Sequence, residues 1–301
     1  MSAELPSVGV VLPTHDRPEL LRRALDAVLA QDYEGELRAV IVYDRAEPDK
    51  SLVSDRVEVI ENTLTPGLAG ARNSGILALD TDLVAFCDDD DEWRPGKLAA
   101  QVDALRVARG AEMASCGILI DFDGKQIPRL AFAGRVTFDD LIRSRMVMVH
   151  SSTYLAKRAA LLDVGMVDEE IPGSQGEDWD LALKLARRHP IVNVDQPFVR
   201  ILWGATSYYA QAWETKVAAL LWFLDRYPEI GRSPVGGARV YGQIAFGYAC
   251  LGRRRTAVRW AGRAFRANWK ERRVPFALAV ASGLVSGERV LRTLHSRGRG
   301  I

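Results

Sequence analysis

Apolar and polar positions along this chain repeat with two different periods. "SVGVVLP" (7–13) is a short apolar run with β-branched residues, which predicts a buried strand. In the stretch that follows, Leu20, Leu21, Ala24, Leu25, Val28 and Leu29 recur at helical spacing. Thr14 or Asp16 stands where a cap for that helix belongs, and Pro18 suits its first turn. "LRAVIVYD" (37–44) predicts a second strand, "RVEVIEN" (56–62) a third and "LVAFCD" (83–88) a fourth. Between them "GLAGARNSGILALD" (67–80) reads as a helix of small residues. "RPGKLAAQVDALRVAR" (94–109) reads as another, opened by a proline.

Strands alternating with helices predict βαβ units and a mainly parallel sheet covered on both faces. Such sheets bind ligands outside the carboxyl ends of their strands. Three features fall at those ends: "PTHDR" (13–17), Asp44, and the four consecutive aspartates of "AFCDDDDEW" (85–93). From about 112 to 202 the pattern is mixed. It holds a hairpin turning at Asp123-Gly124, a strand at "HSSTYLAK" (150–157), and a helix at "GEDWDLALKLARRH" (176–189). That last helix opens on carboxylates and closes on bases, as the helix dipole favours. After about 210 the chain reads as helices.

Composition narrows the class. With 301 residues, 48% of them hydrophobic and 26% charged, the chain fits one large globular domain plus an appendage. Cys87, Cys116 and Cys250 are too few and too scattered for a disulfide framework or a zinc site. No basic leader opens the chain, and the apolar run 274–285 is too short to span a bilayer, so a cytoplasmic location is expected. The net charge of +1 hides an asymmetry, because from Gly252 onward thirteen lysines and arginines face only Glu271 and Glu288. An acidic body thus carries a basic tail.

Four adjacent carboxylates repel one another, by about 1 kcal/mol per pair in water. A hard cation, Mg²⁺ or Mn²⁺, relieves that repulsion, and magnesium is commonly held by one or two carboxylates plus substrate phosphates. The aspartate run is therefore a candidate metal and phosphate site.

In order and spacing, "VVLPTHDRPELLRRALDAVLAQDY" (10–33), "IVYD" (41–44), "GLAGARNSGI" (67–76), "LVAFCDDDDEW" (83–93) and "GEDWDLALKLARR" (176–188) resemble the family 2 glycosyltransferases. These are inverting enzymes of the GT-A fold. The resemblance implies a Rossmann-like mixed sheet with helices on both faces over residues 1–210, followed by a basic helical region over 211–301. It implies a nucleotide-sugar donor, a UDP-sugar first among them, and a hydroxyl acceptor on a saccharide or a lipid-linked glycan.

Roles follow by position. Pro13, Thr14 and Arg17 match the first loop that holds the nucleotide. Asp44 matches the acid at the base, and Arg72 and Asn73 match residues near base and ribose. The DxD signature falls in the aspartate run, with Asp88 near the ribose, Asp90 on the metal, and Asp89 and Asp91 as alternatives of register. Asp178 matches the general base, with Glu177 as an acceptor contact.

Two departures stand out. Arg45 occupies the position of a second acid, and Leu202 that of a histidine that helps hold metal or diphosphate; Arg200, Thr206 and Ser207 are the substitutes at hand. Trp179, Trp203 and His150 are open between ligand contact and structural use. Sugar-1-phosphate nucleotidylyltransferases share a similar sheet but need a glycine-rich loop that "LPTHDRPE" lacks. A non-catalytic module of the same fold is the alternative reading. In the tail, Val258, Trp260, Phe265 and Trp269 lie among arginines in "LGRRRTAVRWAGRAFRANWKERR" (251–273). That pattern fits a peripheral membrane contact or a packed helix. No recognition motif points to nucleic acid.

Overall fold

The computed structural model describes residues 5–122, 124–202 and 212–295. It divides into two compact units, one holding most of the chain up to Gly204 and the other the C-terminal helices with the short segments 142–145 and 170–176.

The first unit is built on one ten-stranded sheet. Its strands are β1 (Val8–Thr14), β2 (Leu37–Tyr43), β3 (Val57–Glu61), β4 (Leu83–Phe86), β5 (Asp91–Trp93), β6 (Met113–Phe122), β7 (Lys125–Arg129), β8 (Arg135–Val136), β9 (Leu155–Lys157) and β10 (Ile191–Leu202). The order β3-β2-β1-β4-β9-β6-β10-β5 begins with four parallel strands. β9 then runs antiparallel to both β4 and β6. The sheet is thus mixed rather than mainly parallel. β6 and β7 form the expected hairpin. β10 pairs parallel to β6 from Val192 to Leu202, with register shifts on either side of Pro197, a strand the hydrophobic pattern does not announce.

Helices α1 (Pro18–Leu29), α2 (Leu68–Ala78), α3 (Lys97–Val107), α4 (Phe138–Arg143), α5 (Arg158–Asp163) and α6 (Glu177–Arg188) accompany the strands. α1 buries Leu21, Ala24, Leu25 and Val28, the stripe its spacing predicts, against a core that includes Val8, Val10, Leu12, Ile41 and Leu98. The cap differs from expectation. Arg17 precedes α1 with no side-chain cap, and Pro18 at the first turn needs none for its missing N–H. Thr14 and Asp16 are not used there: Thr14 lies in β1, and Asp16 sits at φ 53° in the turn between them.

Small residues in α2 serve close approach. A Cβ on Gly70 would lie 2.0 Å from the Thr65 carbonyl oxygen, and one on Gly75 would lie 2.3 Å from a Val11 methyl. This lets α2 settle on β1 and brings its three polar residues, Arg72, Asn73 and Ser74, to buried positions.

The second unit contains α7 (Trp213–Arg226), α8 (Pro228–Arg232), α9 (Pro234–Cys250), α10 (Arg254–Ala267), α11 (Arg273–Ser282) and α12 (Gly287–His295). Its core joins Ala245 and Phe246 of α9 to Ala261 and Ala264 of α10, Val274 and Ala277 of α11, and Val290 of α12.

Candidate active site

The carboxyl ends of β1, β2 and β4 lie side by side, since β1 pairs with both of the others. That register brings the three sequence-predicted features together. Thr14 Oγ1 donates to Asp89 at 2.8 Å. Arg17 Nη1 donates to Asp90 at 2.8 Å and to Asp89 at 3.3 Å. Pro13 is the penultimate residue of β1, paired with Val42 in β2. The first loop therefore grips the aspartate run from one side.

Asp44 stands at the end of β2. Its Oδ1 accepts from Asn62 Nδ2 at 2.7 Å and from the Gly67 amide at 2.9 Å. Burial alone would raise its pKa, but these two bonds and the Arg45 guanidinium hold it below the usual carboxylate range. Arg45, the departure from the family pattern, takes a left-handed backbone at φ 52° and donates to Asp44 Oδ2 at 3.2 Å. A cation thus answers Asp44 at the position where the resemblance implies a second acid.

Arg72 is 2% exposed. Its Nη2 donates to Asp88 and its Nη1 to Glu177. Asp88 follows β4 and Glu177 opens α6, so one guanidinium joins the aspartate run to the second acid motif. Desolvation opposes the charge on Arg72, but Asp88, then Glu177, then Asp178 outweigh it and its pKa is raised. Asp178 lies in the same electrostatic neighbourhood; it is buried, and its Oδ1 accepts from the Trp179 amide at 2.8 Å. Glu177 gives its carboxylate to Arg72.

Asn73 uses its whole amide on protein. Oδ1 accepts from the Val167 amide, and Nδ2 donates to the Val167 carbonyl and to Glu169 at 2.7 Å. Glu169 also accepts from the Thr65 amide. Asn73 thus ties α2 to the segment 167–169, and Glu169 ties the loop before α2 to the same segment.

The four aspartates have four environments. Burial would raise Asp88, yet Arg72, with His150 behind it, holds it low. Burial raises Asp89 to about 6, with the Thr14 hydroxyl opposing. Asp90 is raised by burial and then by Asp88, although 43% of its side chain faces solvent. Asp91 is 2% exposed, accepts from Ser152 Oγ at 2.6 Å, and is pushed well above the carboxylate range by burial and by Asp88. Ser151 Oγ and Ser152 Oγ also hold Asp88, at its carboxylate and at its amide.

The residues present fit a hard divalent cation, because they concentrate carboxylate oxygens beside the guanidinium of Arg17. Asp88, Asp91 and His150 offer ligand atoms all within 4.8 Å of one another. That group leaves out Asp90, whose side chain is 43% exposed and bound to Arg17, whereas Asp91 is sunk on Ser152. Of the substitutes for the missing histidine, Arg200 is bound to Glu92 and Asp121. Trp203, Thr206 and Ser207 lie outside the described residues. Trp179 is a core residue, its indole donating to the Leu141 carbonyl.

Sequence reasoning missed Asn62, Glu169, Ser151 and Ser152. Asn62 alone carried a signal, since it follows β3 at a carboxyl end; the others reach the site from segments with no motif.

Residues 9–130 match the model of the Glycosyl transferase family 2. A putative colanic acid biosynthesis glycosyl transferase of Escherichia coli is 32% identical over 31% of this chain and 36% of its own length. A GalNAc(5)-diNAcBac-PP-undecaprenol beta-1,3-glucosyltransferase of Campylobacter jejuni is 24% identical over 58% of this chain and 59% of its own. The chain therefore spans less than two thirds of either relative. An uncharacterised glycosyltransferase of Mycobacterium tuberculosis is 33% identical over 54% of this chain and 72% of its own length. Among solved structures, S. aureus TarS 1-349 in complex with UDP-GlcNAc aligns over 97% of this chain and 92% of its own, with TM-score 0.62 and 16% identity. The mannosyltransferase PcManGT of Pyrobaculum calidifontis, in complex with GDP-Man and Mn²⁺, aligns over 98% and 85%, with TM-score 0.56 and 17% identity. At such identities the structural likeness carries the fold, which is GT-A with a helical C-terminal region. Motif order, fold and the relatives agree, and this chain belongs to the family 2 glycosyltransferases.

Proposed function

We propose that this chain transfers a sugar from a nucleotide-diphosphate sugar, a UDP-sugar first among them, to a hydroxyl of a saccharide or lipid-linked acceptor, with inversion. The observation that carries the reading is the Arg72 bridge, which ties the donor-side Asp88 to the start of α6 beside Asp178. The nucleotide sugars in the complexes of TarS and PcManGT support the donor class.

Pro13, Thr14, Arg17 and Asp44 would line the nucleotide, with the Asp44 carboxylate accepting from a base N–H. Arg72 and Asn73 would act beneath it as positioning residues, since their polar atoms are given to protein partners. Asp88 would face the ribose. Asp90, with Asp89 or Asp88, would hold Mg²⁺ or Mn²⁺, which when bound neutralises charge on the departing diphosphate. Asp178 accepts the proton from the acceptor hydroxyl as its oxygen bonds to the anomeric carbon and the bond to the diphosphate breaks. Glu177, committed to Arg72, fixes the start of α6 against the donor side. Attack from the face opposite the leaving group inverts the anomeric centre. The acceptor would be met at the inner face of a membrane through the basic C-terminal region.

A thermal-shift panel tests this, with UDP-, GDP- and dTDP-sugars, with and without Mn²⁺, on the wild type and Asp90→Ala. A ligand at about 100 times its dissociation constant stabilises by roughly 2.7 kcal/mol, a shift of several degrees. A metal-dependent shift for one nucleotide, lost in Asp90→Ala, is expected. No shift with any donor favours the non-catalytic module, with Arg45 on Asp44 as its structural mark, and a shift indifferent to Asp90 removes Asp90 as the metal ligand.

A further inference from the structure

The face of the helical unit formed by α10 and its turn into α11 is both cationic and apolar. α10 buries only alanines, Ala257, Ala261 and Ala264. Trp260 packs on the core of the unit, but other large apolar residues point elsewhere: Val258 is 52% exposed and Phe265 54%, and Trp269 just beyond the helix is 69% exposed. Val258 and Phe265 are seven residues apart and share one side of the exposed face. Arg255, Arg259 and Arg266 share the neighbouring strip by the same spacing, and none of the three has an ion-pair partner among the described residues. α11 packs on α10 and carries no charge after Arg273, while its Leu278 is 41% exposed.

Acid is nearly absent here. From Gly252 to Ser286 the single carboxylate is Glu271, which is 8% exposed and bound to Arg273. A helix packed merely on its neighbours would bury Phe265 or answer its arginines with acids. This one does neither.

We infer that this face, Val258, Phe265 and Trp269 flanked by Arg255, Arg259 and Arg266, seats the protein on an anionic lipid bilayer. The guanidinium groups meet lipid phosphates, and the apolar side chains enter the boundary between headgroup and acyl chain. The exposed aliphatic side chains select the partner: a nucleic acid answers the arginines and can stack on Phe265 or Trp269, but gives Val258 and Leu278 nothing to enter. The inference rests on the peripheral contact of the proposed function and names the surface that makes it.

The test is sedimentation of the full chain with vesicles of phosphatidylglycerol and phosphatidylcholine, against pure phosphatidylcholine. Binding to the anionic vesicles alone is expected. Arg255→Gln/Arg259→Gln/Arg266→Gln should weaken it by about a hundredfold, from the known attraction of each cation near such a surface. Phe265→Ser/Trp269→Ser should weaken it while leaving the melting temperature unchanged, because both side chains are exposed. Failure of the wild type to sediment, or binding equal in the apolar double variant, overturns the inference. Retention of a single-stranded oligonucleotide by a protein that ignores the vesicles overturns it in favour of nucleic acid. Vesicle binding needs no donor, so its failure leaves the transferase reading intact, and a failed donor panel leaves this face untouched.

Discussion

Arg72 and Glu177 are 105 residues apart in sequence, yet the guanidinium of one donates to the carboxylate of the other in the floor of the site. Arg72 gives its other terminal nitrogen to Asp88. Three charges share one buried place, and each is tolerable only because the others are there.

Arg72→Met leaves Asp88 and Glu177 as buried anions without their cation. Removing one member of a buried ion network costs about 3–5 kcal/mol. Urea unfolding should show that loss, and adding Asp88→Asn and Glu177→Gln to the same protein should recover part of it. Equal stability in single and triple variants would mean the three residues do not act as one unit.

Asp178→Asn keeps the shape of the α6 start and removes the proton acceptor. Donor-induced thermal shifts should persist, while transfer falls by about 10²–10⁴-fold. An unchanged transfer rate would remove Asp178 as the base.

Gly70→Ala forces a methyl against the Thr65 carbonyl oxygen, 2.0 Å from the new Cβ. Backbone cannot yield as a side chain tip can, so a loss of about 2 kcal/mol is expected. The Gly67 amide, three residues away, holds Asp44, so donor binding should weaken as well. A variant with the wild-type midpoint and wild-type donor shift would show that the close approach is not needed.

Lys97 is wholly buried, its ammonium 3.6 Å from the centre of the Trp93 ring and without a hydrogen-bond partner among the described residues. Burial pushes its pKa down to about 8 from 10.5. Between those values the unfolded chain holds more protons than the folded one, so this group makes stability rise with pH there. The ring offsets part of the cost of the charge, by roughly 0.5–2 kcal/mol. Lys97→Met should therefore be more stable than wild type at pH 7, by about 2 kcal/mol. The difference should shrink as pH climbs from 8 towards 10.5. Melting curves at pH 7, 8.5 and 10 read it; a difference that stays constant would mean Lys97 keeps its unfolded-state pKa.

Much of this molecule is written in local sequence. Runs such as "SVGVVLP" and "LRAVIVYD" bury every or nearly every side chain, so their hydrophobicity alone marks them as central strands. The stripe of α1 is equally plain, because a helix on a sheet hides one face and nothing else satisfies that spacing. From these follow the parallel half of the sheet and the three carboxyl ends at which the candidate residues stand. Tertiary structure decided what those residues do to one another. Thr14 looks like a helix cap in sequence, but the pairing of β1 with β4 turns its hydroxyl to Asp89. Four identical aspartates cannot be told apart by spacing; only their depth divides Asp91, sunk on Ser152, from Asp90, in solvent on Arg17. Asn73 reads as a ligand contact until Val167 and Glu169 arrive from another segment and take its amide. Hydrophobic period is a property of neighbours in the chain, whereas charge pairing depends on distance in space. For that reason the sequence could determine the scaffold and the candidates, and only the fold could join Asp88, Arg72 and Glu177.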